Sequence, residues 1–177
     1  MVNFLAIILY IIAYFGENVE KIGGKWLIFE FIYDSIICMN RDNKRGKIDI
    51  SGLTKPPENQ EYDVAVYFSK RGLDVVFIRP SNIKGTNSPD FVMVGKNWEI
   101  KSPIKQSQRT FDETFSKATS QSANVIYDLR RTRASDEKFF LENLLRKRVS
   151  PKIKTLLVIT RDGRLLTVKG KFDIMKL

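Results

Sequence analysis

The sequence predicts an α/β domain: a mixed sheet with helices on its faces in the order αβββαβαββ, preceded by an apolar segment. Three observations carry this reading. Short runs rich in β-branched and aromatic residues alternate with stretches of helical periodicity. Two such runs flank a glycine at Gly95, which suits a hairpin. A strand-helix-strand succession then needs a crossover, and crossovers bury both faces of a sheet. With 43% hydrophobic residues in 177, there is material for one packed core of ordinary size plus an appendage.

The first helix lies between Pro56-Pro57 and Gly72, with proline where a helix starts and glycine just past its end. Glu61, Ala65 and Phe68 follow i, i+4, i+7 spacing, so Glu61 falls on the stripe that faces the core. Residues 73–78 are the first strand, and 81–88 a loop. Residues 91–94 and 97–101 form a hairpin about Gly95-Lys96, glycine first as in a type II′ turn. A helix over 110–122 follows, with Thr110 as N-cap, Glu113 at the capping-box position, and Phe111, Phe115 and Ala118 inward. A buried strand at 125–129, an amphipathic helix at 136–147 and a terminal hairpin about Asp162-Gly163 complete the domain.

The hairpin carries the chemistry. The expected register pairs Asp90 with Lys101 and sets Asp90 diagonal to Glu99; Glu99 and Lys101 share one face, Trp98 and Ile100 the other. An unpaired carboxylate at Glu61, on a core-facing stripe, calls for a nearby cation. Carboxylates suit magnesium, or manganese, which takes hard oxygen ligands and keeps positions open for water and a phosphate. The cation activates water and offsets charge on phosphoryl oxygens, while a lysine beside it orients or deprotonates the nucleophile. Glu61, Asp90 and Glu99 are therefore the candidate metal ligands and, with Lys101, the candidate catalytic residues. The chain has no histidine, which excludes His-based nucleases, catalytic triads and His-containing zinc sites.

Thirty basic against twenty acidic residues give a formal charge of +10, a field that attracts nucleic acid. Lys105, Arg109, Lys117 and Gln121 are the candidate substrate contacts; Lys117 and Gln121 stand one helical turn apart.

These residues resemble the PD-(D/E)xK nucleases, and among them the C-terminal tRNA nuclease domain of CdiA-type contact-dependent growth inhibition toxins. The resemblance spans about residues 56–177. Glu61 and Gly72 look like the first-helix glutamate and closing glycine of that family; Asp90, Glu99 and Lys101 match its metal-binding and catalytic positions. The phrase from Trp98 to Pro103, followed by Gln121 to Arg131, is similar to the toxin group in particular. The resemblance implies a restriction-endonuclease-like core, magnesium-dependent cleavage of tRNA in the cytoplasm, and a cognate, acidic immunity protein over the basic cleft. The residues alone leave two alternatives open: a DNA endonuclease of the same superfamily, since no residue marks a reader of the 2′-hydroxyl, and a non-catalytic nucleic-acid-binding module.

Residues 1–39 read as an apolar helical hairpin about Gly23-Gly24. Its first run is shorter than the ~20 residues of a spanning helix, and its second is interrupted by Glu30 and Asp34. Packing, a protein contact or membrane association are the expectations for it. Residues 40–57, rich in charge, glycine and proline, read as a linker to a nuclease domain at 58–177. The single Cys38 cannot form an internal disulfide.

Overall fold

The computed structural model describes residues 45–81, 88–105 and 107–172. The chain divides into two compact units, Met1–Asn43 and Lys44–Leu177, and everything described belongs to the second. The expected hairpin at 1–39 and Cys38 lie outside the described residues. Among those described, no helix is long and apolar enough to cross a membrane.

Seven strands make one sheet whose spatial order is its sequence order. They are β1 (Ile48–Asp49), β2 (Val75–Phe77), β3 (Phe91–Met93), β4 (Lys96–Lys101), β5 (Asn124–Asp128), β6 (Thr155–Ile159) and β7 (Leu165–Lys169). Between them run α1 (Asn59–Ser69), α2 (Gln108–Gln121) and α3 (Ala134–Lys147). β1 and β2, β4 and β5, and β5 and β6 pair parallel; β2 and β3, β3 and β4, and β6 and β7 pair antiparallel. The mixed α/β sheet is the expected one with an added edge strand. That strand corrects the reading of 40–57 as a linker: Ile48 and Asp49 pair with Val75 and Val76. Gly46 makes the approach possible, because a Cβ there would lie 2.1 Å from the Leu73 carbonyl oxygen.

Side-chain alternation sorts the core into two layers. Val64, Ala65 and Phe68 of α1 pack with Val75, Phe77, Phe91, Trp98 and Ile100 on one face. On the other, Phe111, Phe115 and Ala118 of α2 and Phe140 and Leu144 of α3 cover Val125, Tyr127, Leu156 and Val158. The crossovers β4–α2–β5 and β5–α3–β6 step the same way along the sheet, so both helices lie on one face. Each buried Phe on α2 contributes about 1.5–3 kcal/mol, which fixes that helix over β4 and β5. The helix starts earlier than the sequence suggests. Ser107, not Thr110, is its N-cap, accepting from the Thr110 N–H.

The hairpin turn also differs. Phe91 pairs with Trp98, Val92 with Asn97 and Met93 with Lys96, so the loop is Val94-Gly95 rather than Gly95-Lys96. Both loop residues have positive φ, 54° at Val94 and 65° at Gly95, the signature of a type I′ turn. A β-branched residue in the left-handed region is costly, which is why sequence reasoning placed glycine first. The register slips by two residues relative to the expected one. An even slip preserves the face of every paired side chain, and the regular pairing ends at Phe91, where Asp90 turns its N–H to the Trp98 carbonyl.

Candidate active site

Asp90 precedes β3 and is held at both ends of the pairing: its N–H donates to the Trp98 carbonyl at 2.9 Å, and its carboxylate accepts the Ile100 N–H at 2.6 Å. Trp98 anchors the opposite face, fully buried with its indole N–H on the Met93 carbonyl at 3.0 Å. Glu99 and Lys101 therefore project together from β4 towards the α2 side. Lys101 Nζ donates to Glu99 Oε1, and Glu99 is 1% exposed. The second oxygen, Glu99 Oε2, is buried with no hydrogen-bond partner.

Glu61 comes from α1, on the Trp98 face of the sheet, and lies within the electrostatic field of Asp90, Lys101 and Glu99. It stands in the first turn, and its Oε2 accepts the Glu58 N–H at 3.2 Å, so the capping box that starts the helix also fixes the acid. Burial, then the charge of Asp90, pushes the Glu61 carboxyl up to about 7. Asp90 is likewise raised to about 7, first by burial and then by Glu99, against the Ile100 N–H and Lys101. Glu99 is raised by burial, with Lys101 opposing. Three acids raised first by burial, with a neighbouring acid adding to each rise and Lys101 opposing it, amount to a cluster short of positive charge.

Among the described residues, no three acidic side chains form a ready-made metal cage. Magnesium asks for less, since it keeps several waters and is often held by one or two carboxylates. The donor set fits such an ion: hard oxygens, one of them orphaned and buried at Glu99. Asp90 and Glu99 would hold it, and Glu61 adds a third carboxylate within the field of Asp90.

The remaining candidates divide. Gln121 is half-buried and donates to the Ser88 carbonyl at 3.3 Å, which ties α2 to the segment that delivers Pro89-Asp90. Lys105, Arg109 and Lys117 are exposed, and Arg109 pairs with Glu113 one turn along α2. None of these three is drawn onto the carboxylates by a hydrogen bond or ion pair in the structure. Glu61 and Asp90 also line a cleft of about 270 Å³ whose other walls include Phe77 of β2 and Leu53, Lys55 and Pro57, which belong to the stretch expected to be a linker. Sequence reasoning missed Tyr127 and Ser102, whose hydroxyls are buried without partners on β5 and just past the end of β4. Only the strand register would have pointed to them.

Residues 87–165 match the family model of the contact-dependent growth inhibition CdiA C-terminal domain. The match takes in Asp90, Glu99, Lys101, Lys117 and Gln121, and it excludes Glu61. The fold is also similar to that of a solved chain from a CdiA-CT/CdiI toxin and immunity complex of Burkholderia pseudomallei. The TM-score is 0.52 and the identity 23%, over 70% of this chain and 99% of that one. At this identity the likeness establishes a shared fold. No curated protein matches the sequence.

Proposed function

We propose that the unit 44–177 is a divalent-metal-dependent endonuclease of the PD-(D/E)xK kind, a toxin domain that hydrolyses the phosphodiester backbone of tRNA in the cytoplasm. What supports it is that Lys101 bonds Glu99, that Glu99 Oε2 is buried without a partner, and that Glu61, Asp90 and Glu99 lie within one another's electrostatic field. The CdiA C-terminal match supports the toxin class. Choosing tRNA rests on the family resemblance of the motifs. A cognate acidic immunity protein, as in the solved toxin complex of similar fold, would complement the charge of +10.

Magnesium, when bound, would supply the Lewis acidity that activates water and stabilises the phosphorane-like charge. The chain's own residues do the rest. The Asp90 carboxylate is fixed by the Ile100 N–H, so its position is set before substrate arrives. Lys101, held against Glu99, presents an ammonium where negative charge builds on the phosphoryl oxygens, and orients the attacking water. Glu61 binds a proton easily near neutral pH and is suited to hold the nucleophilic water.

The test incubates the full chain with tRNA and with plasmid DNA, with and without chelator. Magnesium-dependent fragments from tRNA, lost in Glu99→Gln and Lys101→Ala, are expected. Cleavage of DNA alone would move the substrate; salt-sensitive binding with no cleavage would make the protein a binding module.

A further inference from the structure

Buried polar atoms in folded proteins are nearly all paired, so those that are not call for an explanation. Among the described residues, the buried side-chain oxygens without a partner are Glu99 Oε2, Ser102 Oγ and Tyr127 Oη. Glu99 and Tyr127 sit on adjacent strands, and Ser102 lies just past the end of β4.

Tyr127 is the informative one. The parallel register pairs Lys101 with Tyr127 and Glu99 with Val125, so Tyr127 projects from the same sheet face as Glu99 and Lys101, one strand over. It is 1% exposed, its ring packed against Phe111 of α2 with centroids 6.2 Å apart. The Glu99 charge acts on its phenol, which places the hydroxyl within electrostatic reach of that carboxylate. A phenylalanine would fill this core position without stranding a hydroxyl. The phenol is a donor lacking an acceptor, and Glu99 Oε2 an acceptor lacking a donor.

We propose that Tyr127 is a positioning residue of the active site: its hydroxyl donates to the Glu99 carboxylate through one water and holds that carboxylate in the orientation in which it ligates a divalent cation. This rests on the proposed nuclease reading. Glu99 then has an anchor for each oxygen, Lys101 on one and Tyr127, through water, on the other. Groups that orient a metal ligand contribute strongly to metal affinity although they never touch the metal.

The experiment compares the full chain with its Tyr127→Phe variant, which keeps the ring and removes one oxygen. Mn2+ binding by calorimetry is expected to weaken about 10-fold in the variant. The turnover number for tRNA cleavage should fall by a similar factor, with KM for tRNA unchanged, since tRNA is not held by Tyr127. A core tyrosine with no link to Glu99 predicts instead unchanged Mn2+ affinity and turnover, and that result overturns the proposal. If the wild-type chain binds Mn2+ but cleaves nothing, the nuclease reading fails while the Mn2+ comparison still decides the role of Tyr127. If it binds no Mn2+, a double-mutant cycle on melting temperature with Glu99→Gln decides: coupled shifts support the Tyr127–Glu99 link, and additive shifts overturn it.

Discussion

Lys101 donates to one oxygen of the Glu99 carboxylate and leaves the other oxygen buried without a partner. This half-satisfied acid organises the site. A structural salt bridge would be served by closing both oxygens, whereas an unpaired acceptor next to Asp90 and within the field of Glu61 leaves room for a second cation.

Removing the ammonium should therefore harm both folding and activity. Lys101→Met keeps most of the stem and strips the charge, leaving Glu99 buried without its donor. Stability should drop by about 1–3 kcal/mol in denaturant titration near neutral pH. The drop should shrink in acid, where Glu99 takes up a proton and no longer needs the ammonium. Cleavage should fall at least about 100-fold, the scale of losing one preorganised stabiliser of transition-state charge. Full activity in this variant would remove Lys101 from the mechanism.

The acid cluster should make the metal-free protein less stable as pH rises. Glu61 and Asp90, ordinarily near 4.5 and 3.8, are both raised to about 7 in the fold. Between those values the native state holds protons that the unfolded chain has released, so unfolding becomes easier as pH increases through that window. The melting temperature in chelator should fall from about pH 5 to about pH 8. Added Mg2+ should reverse the fall at the alkaline end, because a bound cation relieves the repulsion among ionised acids. Asp90→Asn should flatten the profile. A metal-free melting temperature that rises across this window would contradict the cluster.

Most of the centre was legible in the sequence because it depends on alternation, and alternation survives an even error. The expected hairpin placed the turn at Gly95-Lys96 and was off by two in register, yet Glu99 and Lys101 kept their common face, opposite Trp98 and Ile100. Glu61 was legible for a similar reason: its helical spacing from Ala65 and Phe68 holds wherever the helix begins. What escaped were features set by long-range pairing. Nothing local marks Ile48-Asp49 as a strand, since its pairing with β2 relies on Gly46 lying against Leu73. Val94 in a left-handed turn contradicts its own preference and is imposed by the strands on either side. Gln121 has the spacing of a phosphate contact with Lys117, but its partner is a carbonyl 33 residues away in sequence.

The strained turn offers a gain. Val94 is 37% exposed with φ of 54°, so its side chain contributes little packing to set against the left-handed backbone. Val94→Asn creates the Asn-Gly pair that type I′ turns prefer. It should stabilise the unit by about 1 kcal/mol, the scale of the left-handed penalty it relieves. Activity should be unchanged, because the pairing that holds Asp90 on the Trp98 carbonyl and the Ile100 N–H is kept. Loss of stability would mean that the turn geometry is other than type I′.

Lys117 and Gln121 stand one helical turn apart on α2, but they should fail in different ways. Gln121 holds the Ser88 carbonyl, two residues from Asp90, so Gln121→Leu should loosen the delivery of that carboxylate. Turnover should fall several-fold while KM for RNA and its salt dependence stay put, because no contact to phosphate is lost. Lys117 is exposed, and its ammonium can act only on what approaches from solvent. Lys117→Ala should weaken RNA binding and reduce the slope of log affinity against log salt by about one, the signature of one lost phosphate contact. Binding titrations at several salt concentrations, run beside turnover on each variant, separate the two. If Gln121→Leu lowers the salt slope as well, its amide leaves Ser88 for the substrate, and the original reading of Gln121 as a phosphate contact is restored.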